Sequence, residues 1–174
     1  MRKTFAIICA LLMMISLTGC FAPKDINVNK MKKNTGVMFS AIYVDGGLVR
    51  DEDYLVSVTY EINYDGTMNM IKEYSQSGKY YASTQISDEN YKMFYILSKR
   101  NETINTFDKY VIDGTDGGIW DFTFYDVGKT TGKQIFKGSF GNGHPTLDAF
   151  KRTLSYYAAS IPCYNQNNEG EPCK

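Results

Sequence analysis

Histidine and tryptophan occur once each in these 174 residues, and proline and cysteine four times each. With His144 alone, there is no second imidazole for a paired acid–base site or a multi-histidine metal shell. The 19 Lys and Arg only balance the 19 Asp and Glu. Without a cationic excess to neutralise a phosphate backbone, nucleic acid is excluded as the main partner. What is abundant is aromatic: 14 Tyr and 10 Phe in a chain that is 43% hydrophobic. That composition suits strands and excludes a disordered polymer. The length allows one domain of ordinary size and excludes a large multidomain enzyme.

The one long apolar run stands at the N-terminus. Met1-Arg2-Lys3 is a basic start, and Phe5 to Leu17 (FAIICALLMMISL) is almost unbroken. As a helix it would measure roughly 20 Å, short of a bilayer core of about 30 Å. A basic start followed by a short apolar stretch is the pattern of a secretory signal peptide. The run ends in Leu17-Thr18-Gly19-Cys20, which resembles the lipobox of bacterial lipoproteins: an aliphatic residue, two small ones, then cysteine. The resemblance covers residues 1–20 only. It implies that the Cys20 thiol carries a diacylglyceryl group and that cleavage before Cys20 makes it the first residue of the mature chain. Losing Arg2 and Lys3 leaves 17 basic against 19 acidic side chains, so membrane attachment rests on the lipid and not on a basic patch. Several acyl chains anchor firmly, at about 0.8 kcal/mol per buried CH₂. The expected location is the extracytoplasmic side of the cell membrane or outer membrane. Phe21 stands where, in Gram-negative lipoproteins, an Asp retains the protein at the inner membrane; in such a cell the outer membrane is favoured.

Two cysteines then remain, Cys163 and Cys173, with nine polar, Gly/Asn-rich residues between them. Outside the cytoplasm such a pair is expected as a disulfide, closing a loop that restricts the unfolded chain by roughly 3 kcal/mol at most. The spacing is not the C-x-x-C of redox or zinc sites.

The domain plan reads as a signal over 1–19, a lipidated polar tether over 20–36, one domain over 37–160 and a C-terminal tail over 161–174. Within the domain, strands are expected at Val37–Val44, Leu55–Tyr64, Thr67–Tyr74 and Tyr80–Ile86. Val56, Val58, Tyr60, Ile62 and Tyr64 share one face of the second, and Asp65-Gly66 is a strong hairpin signal. A helix follows at about 88–100. Ser87 serves as its N-cap, Ile86 and Tyr91 stand at staple spacing, and Asp88 and Glu89 occupy the first turn. The second half predicts strands at 107–112, Ile119–Asp126 and Lys133–Phe140, then a helix over Thr146–Ala159 with Leu147, Phe150, Leu154, Tyr157 and Ala158 on one stripe. Strands joined by hairpins and followed by helices imply a two-layer α+β fold. The expectation is an antiparallel sheet of six to seven strands with two helices on one face, and a possible βββα pseudo-repeat. An open barrel closed by one helix is the alternative.

No catalytic signature emerges. His144, in GNGHPT, lacks a fixed Ser, Cys or second His as partner. Gly141-x-Gly143 lacks the Lys-Ser/Thr of a P-loop. Asp113 to Gly118 fails the calcium-loop pattern at Thr115, Gly117 and Phe124. Asn101-Glu102-Thr103 is a glycosylation sequon of little use to a bacterial lipoprotein. The acids Glu61, Glu73, Asp113, Asp116 and Asp121 are candidates for paired carboxylates only if the fold joins them. The tyrosines are too many to bury completely, so an exposed Tyr surface is expected to stack on sugars or touch a protein. Tyr80, Tyr81, Tyr125 and His144 are its candidate residues. The expected function is a lipid-anchored, non-catalytic binding module of the bacterial envelope. It would need no metal or other cofactor, and its partner would be an envelope protein or glycan. A small hydrolase using acids of the 113–121 region, and an inhibitor or chaperone-like partner of a secreted protein, are the rivals.

Overall fold

The computed structural model describes residues 26–46, 52–99, 118–139, 145–162 and 164–165. Cys20, Cys163, Cys173, His144, the expected strand at 107–112 and the acids Asp113 and Asp116 lie outside the described residues.

The elements are α1 (Val28–Met31), β1 (Val37–Val44), β2 (Leu55–Asn63), β3 (Thr67–Tyr74), β4 (Gly78–Gln85), α2 (Asp88–Lys99), β5 (Ile119–Phe124), β6 (Lys133–Gly138), α3 (Pro145–Ser160) and the two-residue β7 (Tyr164–Asn165). Local chemistry explains the boundaries. Gly66 takes φ +88° in the β2–β3 turn, where the Asp65 carboxylate accepts from Thr67 N at 2.8 Å. Ser87 Oγ accepts from Asn90 N at 3.2 Å, and Ile86 and Tyr91 are both buried beside it, so α2 starts on the expected cap and staple.

The strands form one antiparallel sheet in the order β6-β5-β1-β2-β3-β4-β7. Strand parity sorts side chains into two faces. On the inner face, one cross-strand row runs Phe124, Phe39, Ile62, Met68, and the next runs Phe136, Phe122, Ala41, Tyr60, Met70. Both larger helices pack on this face. Phe94 of α2 and Phe150 of α3 stack with centroids 5.2 Å apart, and each lies on Phe39, at 4.9 and 5.0 Å. Ala41 supplies the small residue that lets these rings approach the sheet. The outer face carries polar cross-strand pairs: Ser57–Glu73, Asn69–Ser83, Thr67–Gln85 and Asp121–Gln134. Among the described residues the sheet is open, ending at β6 and β7, and the architecture is two-layer α+β.

Three features differ from expectation. The described part of the supposed tether, 26–36, is folded: Val28 is 5% exposed, and Ile26 and Met31 pack against the core. The reading as a tether weighed its Lys and Asn content, but three apolar residues spaced over one turn suffice to seat α1, with Asn27 as its cap. The tail departs too, since β7 pairs with the β4 edge. Finally, three helices occur among the described residues, not two. The βββα pseudo-repeat is not tested, because its expected strand at 107–112 lies outside the described residues. No helix among the described residues is long and apolar enough to cross a membrane.

Candidate functional site: a cleft between the sheet and α3

A third inner row of the sheet runs Gly138, Trp120, Tyr43, Val58, Lys72, Tyr80. Lys72 follows Met68 and Met70 on the same face of β3, so strand alternation directs a cation toward the core. The helix above does not fill this row. α3 buries Leu147, Phe150, Leu154 and Tyr157, and its Phe150 lies on Phe39 and Phe122 of the first two rows. Toward its C-terminal end it presents Ser155, Ala158 and Ala159, whose small side chains leave a gap. The result is a cleft of about 460 Å³ with the sheet as one wall and α3 as the other.

Its sheet wall is aromatic. The Tyr43 and Trp120 rings lie 4.9 Å apart at 45°, and Tyr60 lies nearly parallel to Trp120 at 6.4 Å. Tyr43 is seated on Gly118, where any Cβ would collide with its ring. Ser139 Oγ donates to the Gly118 carbonyl at 3.2 Å and ties the rim together. Burial, then the charge of Asp45, pushes the Tyr43 hydroxyl above its ordinary pKa. Burial, then Tyr43, raises Tyr60 further. Both therefore remain neutral hydrogen-bonding groups at physiological pH.

Two amines line the cleft, Lys72 from the sheet and Lys151 from α3. Lys72 Nζ donates to the Ala158 carbonyl at 2.8 Å. That carbonyl belongs to the last turn of α3, where no intrahelical partner exists and the helix dipole favours a cation. Burial lowers the pKa of Lys72, because its charged form has lost water. The cleft thus joins an aromatic wall to two amines.

The residues expected from the sequence do not assemble here. Tyr80 is 1% exposed and meets Tyr74 edge-on at 5.5 Å, so it is a core residue and not part of a surface; its parity puts it on the inner face beside Lys72. Tyr81 lies on the outer face of β4, its backbone paired with Tyr164 of β7. Tyr125 follows β5, and its carbonyl accepts the Tyr64 hydroxyl at 2.7 Å. Three strands separate β4 from β5, so Tyr81 and Tyr125 do not meet. The expectation of a broad Tyr surface also shrinks. Tyr60, Tyr64, Tyr80, Tyr91 and Tyr157 are all buried, and among the described tyrosines Tyr156 is the exposed one, at 66%.

The candidate acids belong elsewhere. Glu61, Glu73 and Asp121 sit on the outer face, with Glu73 beside Ser57 and Lys79, and Asp121 beside Gln134 and Lys137. None of the three lines the cleft. Among the described residues no group of three His, Cys, Asp or Glu is placed to hold a metal ion. The sequence reading missed Lys72, Tyr43 and Lys151 as a set. The signal for Lys72 was there, a lysine in register with two core methionines. Nothing in the sequence placed Lys151 opposite it. Comparison with family models, curated proteins and solved structures finds no match to this chain.

Proposed function

We propose that the protein is a lipid-anchored binding module of the bacterial cell envelope, held to the membrane through Cys20, and that it takes its ligand in the cleft beneath α3. The anchor rests on the lipobox-like Leu17-Thr18-Gly19-Cys20. The cleft carries the binding role: its roughly 460 Å³ lies within the ~300–1,000 Å³ of ligand pockets, and it joins an aromatic wall to a few placed polar groups. A hydrolase using acids of the 113–121 region has less support: Asp121 bonds Gln134 beside Lys137 on the outer face of the sheet, away from the cleft, and Asp113 and Asp116 lie outside the described residues.

Two experiments test the two parts. Cys20→Ser should leave an unprocessed precursor or release the protein from membranes on fractionation; a variant that stays acylated and cleaved would refute the anchor. For the cleft, the lipidated chain in nanodiscs is screened by thermal shift against aromatic acids, sugars and peptidoglycan fragments. A ligand at 100 times its Kd adds about 2.7 kcal/mol, a shift of a few degrees for a domain this size. Ser155→Phe, at an exposed rim position of α3, should abolish that shift. A shift that survives the plug would place binding elsewhere.

A further inference from the structure

Among its described lining residues the charge of the cleft is one-sided. Its described lining holds two amines, Lys72 and Lys151, and no carboxylate. The two come from opposite walls, one from β3 and one from α3. Lys72 has three N–H donors and gives one to Ala158 O, which leaves two. An amine drawn out of water at a core-facing position is costly unless something negative or strongly polar compensates it. A single helix-terminal carbonyl does so in part; an anion would complete it with charge-assisted bonds. Beside the amines the wall is Trp120 and Tyr43, whose faces accept a flat apolar group. A neutral sugar would give the two further donors of Lys72 no charged partner, and an inorganic anion would leave the rings unused.

We propose that the cleft takes an organic anion with a flat apolar body, its charged group between the Lys72 and Lys151 amines and its ring against Trp120 and Tyr43. The proposal rests on reading the cleft as the binding site and names the class of ligand that the site selects.

Trp120 is the only tryptophan in the chain, so its emission reports on this cleft alone. The test titrates the lipidated chain in nanodiscs with two contact quenchers of the same shape. One is 4-nitrobenzoate, which is charged, and the other is 4-nitrobenzamide, which is neutral. The benzoate should quench Trp120 saturably, with the amide at least about tenfold weaker, since a hydrogen bond to a charged group contributes about 1.5–3 kcal/mol and 1.4 kcal/mol is tenfold. Lys72→Met and Lys151→Met should each weaken the benzoate about five- to tenfold and leave the amide unchanged. Lys72→Met also removes the bond to the Ala158 carbonyl. Lys151→Met keeps that bond and carries the test if the first variant is unstable. Equal affinity for the two quenchers, or lysine variants that bind benzoate like the parent, would overturn the anion preference and leave the cleft as a binding site. No saturable quenching by either compound would overturn both.

Discussion

Replacing Phe150 by Ala is expected to cost about 3–5 kcal/mol, a large part of the ~5–15 kcal/mol that holds a domain of this kind together. The expectation follows from where the ring sits. Phe150 is fully buried on α3 and touches Phe94 of α2 at 5.2 Å, Phe39 of β1 at 5.0 Å and Phe122 of β5 at 5.5 Å. Each such aromatic pair contributes about 0.5–1.5 kcal/mol beyond the area it buries. Truncation therefore removes the contact that joins both helices to the centre of the sheet. The cavity left behind is walled by three rigid rings that collapse poorly into it. Tyr156→Ala, on the exposed side of the same helix, should change stability by no more than about 0.5 kcal/mol. Urea unfolding of the two variants, read by midpoint, makes the comparison. Near-equal midpoints would mean that α3 does not dock through Phe150.

How legible this fold was in the sequence depends on the kind of signal. Local signals translated directly. The alternation of LVSVTYEIN, the Asp65-Gly66 turn and the Ser87 cap with its Ile86/Tyr91 staple each act within a few residues, and β1, β2, β3 and α2 begin within a residue or two of where they were expected. The short elements α1 and β7 were missed for a shared reason. Four residues of helix or two of strand carry no period to detect, and both form only because a partner is already in place. The site was missed at a different level. Lys72 is legible as an anomaly, a cation in phase with Met68 and Met70. The cleft itself depends on Ser155, Ala158 and Ala159 passing over that row, a fact of tertiary docking. The tyrosines misled in the opposite direction. Their number suggested surface, yet Tyr64 and Tyr91 are buried because each hydroxyl finds a backbone carbonyl, of Tyr125 and of Tyr64. Tyr80 is buried simply by its strand parity.

Those buried hydroxyls set up the second large effect: the domain is expected to unfold cooperatively between about pH 10 and 12. Tyrosine in an unfolded chain ionises near pH 10. In the fold, burial pushes Tyr91 up to about 12, helped by the charges of Tyr95 and Asp65, and raises Tyr60 and Tyr64 beyond that. Below pH 10 both states hold these protons, and the stabilisation is fully present. Between 10 and 12 the unfolded state has lost protons that the native state keeps, so stability falls as pH rises. Each proton that the native state alone retains lowers stability by about 1.4 kcal/mol per pH unit, so several such tyrosines remove a sizeable part of the roughly 5–15 kcal/mol that holds a domain together. Tyrosinate absorbance and far-ultraviolet circular dichroism, followed together, should show a late ionisation step that coincides with loss of the sheet signal. Tyr91→Phe separates this cause from general alkaline damage. It removes the hydrogen bond to the Tyr64 carbonyl and should cost about 1 kcal/mol at neutral pH. It also removes one of the three groups that drive the alkaline transition, so the fall in stability with pH should become shallower. If every tyrosine instead ionised in one step near pH 10 with the sheet intact, these hydroxyls would be in contact with water, and the packing of Tyr91 beneath the β2–β3 turn would have to be redrawn.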